Sequence, residues 1–320
     1  MDANSPNTRA DDLLVSPDAI SDALQSEGYI PTTDIAMAVY LGHQLRKPLL
    51  IEGPAGVGKT DLARALSEAL SAPLIRLQCY EGLDSAKALY EWKYAKQLLY
   101  TQILKDKVSE VLGDVDLDGA TGQLEQFDDV FFSEAFLEPR ALLRAMRQDD
   151  VSVLLIDEVD KADEAFEAFL LEVLADYQVT VPELGTITAR TPPIVILTSN
   201  AVRELTDALK RRCLHLHIGF PEAAREEAIV TARVPGIETD LTNQLVAFVQ
   251  SLRGLDLRKH PSIAETVDWA RALVLLHTNS LDEQTVRSTL NLLLKYESDI
   301  AAAAPILGKI VREAAPPARP

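Results

Sequence analysis

Gly53-Pro54-Ala55-Gly56-Val57-Gly58-Lys59-Thr60 is the stretch that decides how the rest of the chain reads. It follows an apolar run, Pro48-Leu49-Leu50-Ile51, and precedes a helix-like segment from Asp61 to Leu70. Strand, Gly-rich turn and helix in that order are the setting in which G-x-x-x-x-G-K-T cradles a polyphosphate. Glycines let backbone N–H groups turn inward and approach phosphate closely. The helix N-terminus behind them adds positive potential. The expected nucleotide-binding segment is therefore Gly53 to Asp61, with Lys59 reaching the β- and γ-phosphates of ATP and the Thr60 hydroxyl on Mg²⁺. The competing reading is a Gly-rich turn that binds nothing.

Outward from this loop the chain alternates. Leu49 to Glu52 reads as a first strand and Leu74 to Leu77 as a second. Val151 to Ile156 and Ile194 to Thr198 are continuous runs rich in branched residues, which suit central strands covered on both faces. His215 to Ile218 reads as a fifth strand, with helical patterns between the strands. The fold class that follows is α/β with a parallel sheet. Pro17 to Glu27 and Asp34 to Leu45 read as short amphipathic helices separated by Gly28 and Pro31. Past Gly219-Phe220-Pro221 the pattern is helical to about Val311, a small all-helical domain. The expected divisions are a disordered 1–16, an α/β nucleotide-binding domain over 17–220, a helical domain over 221–312 and a flexible tail over 313–320.

Three more segments carry chemistry. Val153-Leu154-Leu155-Ile156-Asp157-Glu158 is a buried strand with two carboxylates at its C-terminal end, where open α/β sheets bind ligands. Standing about 100 residues after the phosphate loop, Asp157 is expected to hold Mg²⁺ through water and Glu158 to polarise the attacking water as general base. Ile196-Leu197-Thr198-Ser199-Asn200 is a second such strand. Asn200 either orients that water or serves turn chemistry. Ala208-Leu209-Lys210-Arg211-Arg212-Cys213 puts a basic cluster at a helix end. It either compensates the helix dipole or supplies an arginine finger to a neighbouring subunit.

In this order the four segments resemble Walker A, Walker B, sensor 1 and the arginine finger of an AAA+ P-loop ATPase, and the helical region resembles its lid. The resemblance covers about residues 15 to 312 and implies ATP hydrolysis. Tyr177 to Ala189, with alternating Val, Thr and Ile about a Gly, resembles a pre-sensor-1 hairpin. Gln78 to Asp84 and Ala88 to Trp92 sit where one AAA+ clade inserts structure into helix 2. Together they resemble the MoxR family, chaperone-like ATPases that pair with von Willebrand factor A domain proteins.

Cys79 to Asp84, Tyr90-Glu91-Trp92, Lys96 to Leu99, Glu167 to Leu174, Leu209 to Cys213 and Ala264 to Ala270 look most like the branch containing the aerobic carbon monoxide dehydrogenase maturation ATPase. That likeness implies a hexameric homo-oligomer, a von Willebrand factor A partner and a metalloenzyme client of the molybdenum hydroxylase kind. It also makes Arg212 the preferred finger, with Arg211 second. One departure stands out. Where relatives carry a sensor-2 arginine, this chain has Ser262-Ile263-Ala264-Glu265, leaving Arg271 or Arg258 as substitutes. Tyr90 and Trp92 are either core residues or face a pore or client. A different class of function, an ATP-gated binding module with little turnover, is the alternative to a working ATPase.

Bulk properties narrow the partners. The 320 residues carry 31 Lys and Arg against 49 Asp and Glu, a net charge of -18. Such a surface repels nucleic acid and anionic membranes and leaves room for a basic partner. The polar, acidic N-terminus does not read as a signal peptide, and no apolar run reaches membrane-spanning length, so a cytoplasmic protein is expected. Cys79 and Cys213 have no metal-like spacing and read as buried, reduced thiols. Asp114, Asp116, Asp118, Gly119 and Glu125 satisfy D-x-D-x-D-G-x₅-E, a calcium-loop pattern. From Glu110 to Asp129 there are seven acids and no base, which equally describes a solvated acidic loop.

Overall fold

The computed structural model describes residues 6–100, 102, 134–181 and 185–314. The acidic loop from Asp114 to Glu125 lies outside them.

Five strands form one parallel sheet in the order β2-β5-β8-β1-β9. They are β1 (Leu49–Glu52), β2 (Leu74–Gln78), β5 (Val153–Asp157), β8 (Ile194–Ser199) and β9 (Leu214–His217). Along the central strands, alternate side chains feed two different cores. Leu49, Ile51, Val153, Leu155 and Ile196 pack on one side of the sheet, with the phosphate-loop helix Lys59–Leu70 and the N-terminal helices. Leu50, Leu154, Ile156, Val195 and Leu197 pack on the other, with helices Ala141–Met146 and Glu164–Asp176. A sheet apolar on both faces must be covered on both, which is why these strands read as unbroken hydrophobic runs.

Two small ribbons decorate this frame. β3 (Tyr90–Trp92) pairs antiparallel with β4 (Leu137–Pro139), and β6 (Gln178–Val181) pairs antiparallel with β7 (Gly185–Thr188), the hairpin expected before β8. Trp92 is buried in the second core and packs edge-on against Tyr90 at 5.7 Å, so it is a packing residue here, not a surface aromatic. The exposed aromatics of this region, among the described residues, are Tyr80, Tyr94 and Tyr100 instead.

The expected loose stretch over 1–16 is corrected at its centre. Pro6–Leu13 is a helix, and Ala10 and Leu14 are buried in the first core. The apolar residues at 10, 13 and 14 supply a helical stripe that the surrounding polar residues conceal. At the other end, helix Leu307–Ala314 runs into the expected tail. Among the described residues after β9, all regular structure is helical. The apolar packing does not break at residue 221: Phe248, Trp269 and Leu273 of the helical region belong to the same continuous core as Ile51 and Leu66.

Candidate active site

The C-terminal ends of β1, β5 and β8 point at a cavity of about 470 Å³ whose far wall is made by the helical region. The phosphate loop closes one side. Gly53, Gly56 and Gly58 all have positive φ (152°, 74° and 95°). At Gly53 an added Cβ would lie 2.0 Å from the Ile218 carbonyl oxygen, so no larger residue fits. Lys59 is buried, and its Nζ donates to the carbonyls of Gly53 and Pro54, at 2.7 Å each, and to Asn200 Oδ1 at 2.8 Å. Burial pushes the Lys59 ammonium below its ordinary range, against the pull of Asp160, Asp157 and Glu158.

Asp157, at the end of β5, is 3% exposed. Its Oδ1 accepts from the Thr60 hydroxyl at 3.0 Å and from the Thr198 hydroxyl, and its Oδ2 meets the Arg76 guanidinium. A hydroxyl and a carboxylate converging at the mouth of a phosphate loop are hard oxygen donors of the kind Mg²⁺ takes together with substrate phosphates. Thr60 and Asp157 therefore fit that ion.

Glu158 follows in a left-handed conformation, φ 57°, which costs a non-glycine residue about 1 kcal/mol or more and turns its side chain toward the cavity. The conformation is held by the Glu158 N–H on Thr198 Oγ1 (2.9 Å) and by the Lys161 N–H on the Glu158 carbonyl (2.9 Å). The carboxylate accepts from Asn200 Nδ2 (3.2 Å), Gln78 Nε2 (2.8 Å) and Lys161 Nζ (2.6 Å). Asn200 thus links Lys59 to Glu158 directly. Sequence reasoning missed Asp160, which fixes this asparagine. Asp160 is buried, and its Oδ2 accepts from the backbone N–H groups of Asn200 (3.2 Å) and Val202 (3.0 Å).

The structure brings Ala55 to Asp61, Asp157, Glu158 and Asn200 to one cavity. Asp61 is on the wall, but its carboxylate is engaged by Arg64 Nε (2.8 Å) and by Arg233 of the helical region, so it ties the two regions together. Of the two sensor-2 substitutes, Arg271 lines the cavity, two helical turns along the same face from Ala264. Arg258 does not; it stacks on Tyr296 at 4.1 Å. Helix Ile263–Leu275 meets the phosphate loop end-on, the Ala264 N–H donating to the Gly56 carbonyl at 3.2 Å.

Arg211 and Arg212 are exposed and are not on the cavity wall. Their helix, Asp207–Arg212, is anchored by the buried Glu167, which accepts from the Thr206 N–H (2.9 Å) and hydroxyl (2.7 Å) and pairs with Arg203. Burial pushes the Cys79 and Cys213 thiols up to about 12, in keeping with inert core residues.

The family model described as ATPase family associated with various cellular activities (AAA) matches residues 49–222. Protein NorQ of Paracoccus denitrificans is 27% identical over 235 residues, covering 73% of this chain and 74% of its own. Uncharacterised proteins of Staphylococcus aureus and Staphylococcus haemolyticus are each 25% identical over 239 residues, covering 72% of this chain and 76% of their own. With the family model matched over more than half of its length and a five-stranded parallel sheet beside a helical region, the chain belongs to the AAA family of ATPases.

Proposed function

We propose that this protein is a ring-forming, MoxR-type ATPase that hydrolyses ATP to ADP and phosphate and passes the conformational change to a protein client. The observation that carries this reading is the bond from Asn200 to both Lys59 and Glu158, which puts the phosphate-binding cation, the water-positioning amide and the base in one connected set.

In that set the Lys59 ammonium and the loop N–H groups hold the polyphosphate. Thr60 and Asp157 hold Mg²⁺, which when bound neutralises charge on the phosphates. Glu158 takes the proton of the attacking water, and Asn200 orients that water toward the γ-phosphorus. Arg212, with Arg211 second, is exposed and off its own cavity. It fits a role in trans, entering the site of the next subunit of a homo-oligomer, most simply a hexamer. Arg271 faces the same cavity from the lid and takes the sensor-2 role. By likeness, the partners are a von Willebrand factor A domain protein and a metalloenzyme client, a molybdenum hydroxylase in the branch this sequence most resembles, in the cytoplasm. No helix among the described residues is long and apolar enough to cross a membrane.

The test is Glu158→Gln with Arg212→Ala beside it. Both variants are expected to bind a fluorescent ATP analogue normally. Turnover is expected to fall by about 10³-fold or more. Near-normal kcat in Glu158→Gln would sink the mechanism. Specific activity that does not rise with protein concentration would count against a finger supplied in trans and favour an ATP-gated binding module.

A further inference from the structure

Arg76 is the feature of the site that the mechanism above leaves unused. It stands on β2, the edge strand, where side chains alternate between exposed and buried, so that Arg76 and Gln78 share the polar face. Its guanidinium lies 2.5 Å from Asp157 Oδ2, yet its side chain is half exposed while that of Asp157 is almost wholly buried. Asp157 Oδ1 is already occupied by two hydroxyls. Arg76 is therefore the only cation in ion-pair contact with this carboxylate among the described residues, and it sits on the oxygen that the hydroxyls leave open.

A buried carboxylate stripped of its counter-ion is costly, which accounts for an arginine here. The same carboxylate is the one that fits Mg²⁺. A guanidinium and a divalent cation cannot both sit tightly against one carboxylate, because their mutual repulsion at a few ångströms opposes the second arrival. Arg76 also has somewhere to go. It borders both the nucleotide cavity and a second cavity on the other side, lined by Tyr80, Tyr90 and Tyr94, and among the described residues no other lines both.

We propose that Arg76 is an exchangeable counter-ion of Asp157: it holds the carboxylate until Mg²⁺ arrives with the nucleotide, then yields and turns toward the second cavity. The arginine competes with Mg²⁺ and keeps the acid compensated whenever the ion is away. The exchange has a consequence next door. Arg76 Nη2 also donates to Gln78 Oε1 at 2.5 Å, and Gln78 Nε2 donates to Glu158 Oε2 at 2.8 Å, so departure of the guanidinium loosens one of the groups holding the base. The proposal rests on the assignment of Asp157 to Mg²⁺.

The experiment is a MgCl₂ titration of the full chain with fluorescent ADP bound, read as the Mg²⁺ concentration at half-maximal signal. Arg76→Met and Arg76→Gln are expected to lower that concentration by about three- to tenfold, the effect of removing one positive charge near the ion. Arg76→Lys, which keeps the charge, is expected to stay near wild type. In parallel, thermal unfolding in EDTA should show Arg76→Met less stable than wild type, with the gap closing when Mg²⁺ and ADP are added. Asp157→Asn separates the two levels of the idea. If it leaves the Mg²⁺ half-point unchanged, the assignment of Asp157 fails and the exchange falls with it. If Asp157→Asn raises the half-point but neither neutral variant at residue 76 lowers it, Asp157 keeps its role and the exchange is wrong.

Discussion

Arg253→Met should cost this protein far more than its distance from the phosphate loop suggests. Arg253 and Glu226 form a buried pair in the helical region, with Nη1 and Nη2 on the two carboxylate oxygens at 2.6 and 2.7 Å and side-chain exposures of 8% and 0%. Gln250 Nε2 and the Thr266 hydroxyl complete the shell of Glu226 at 2.8 Å each. Arg253 also donates to the Pro261 carbonyl at 2.8 Å and lies over the Phe220 ring at 4.8 Å. One ion pair therefore joins helices Ala223–Arg233, Thr239–Arg253 and Ile263–Leu275 to the segment that enters them from the sheet. Removing the arginine strands an unpaired buried carboxylate, a loss of about 3–5 kcal/mol. Glu226→Gln is damaging too, because its amide keeps one accepting oxygen but turns an NH2 toward groups that donate, Arg253 among them. Trp269, fully buried against Phe248, reports the region once the other tryptophan, Trp92, is replaced by Phe. With a urea dependence of about 2 kcal/mol per molar, the Trp269 midpoint should fall by about 2 M for Arg253→Met. A shift below about 0.5 M would refute the account of the pair.

Other outcomes test the cavity wall. Gly56→Ala would place a methyl 2.4 Å from Ser262 Oγ, at φ 74°, and should push the lid off the phosphate loop. Fluorescent ATP is expected to bind about tenfold more weakly, and Ser262→Gly should restore part of the loss; no rescue would mean that backbone strain alone is responsible. Arg271→Ala should raise the KM for ATP severalfold while Arg258→Ala leaves it unchanged, and the reverse pattern would move the sensor role to the other arginine. At pH 8 neither thiol, pushed up to about 12, carries appreciable thiolate. A thiol reagent should label the native protein slowly and both cysteines at once in denaturant; rapid native labelling would contradict their burial.

What could be read from the sequence was what is local. The phosphate loop is contiguous because its chemistry is done by consecutive backbone N–H groups, and the central strands β5 and β8 are legible because cover on both faces keeps them apolar up to their C-terminal ends. Asp157, Glu158 and Asn200 followed from strand ends. Arg76, Gln78 and Lys161 did not, although Arg76 touches Asp157 and both Gln78 and Lys161 touch Glu158. The contact between Arg76 and Asp157 joins residues 81 apart, and nothing in one sequence pairs them. A signal was present all the same: Leu74-Ile75-Arg76-Leu77-Gln78 alternates, which marks an edge strand with one polar face beside the reacting end of its neighbour. The Glu226–Arg253 pair joins residues 27 apart on two successive helices, where a buried charge looks like a surface one until packing is known. The helix at Pro6–Leu13 was masked by its polar composition for the same reason.

Under the proposed function, the distribution of these groups decides what one chain can do alone. Lys59, Thr60, Asp157, Glu158 and Asn200 meet in a single cavity, so nucleotide binding needs nothing from outside it. Arg211 and Arg212 hang on an exposed helix end instead. The carboxylate that anchors that helix, Glu167, also pairs with Arg203 of the segment just after Asn200, so the finger and the sensor asparagine are carried by one short stretch on one buried acid. A shift of Asn200 caused by occupancy of its own γ-phosphate position would move the arginines offered to the neighbour, since Asp160 and Glu167 leave that stretch little freedom to absorb it. Communication between neighbouring sites would then run outward from sensor to finger. A variant that loosens Glu167 should weaken cooperativity before it weakens binding.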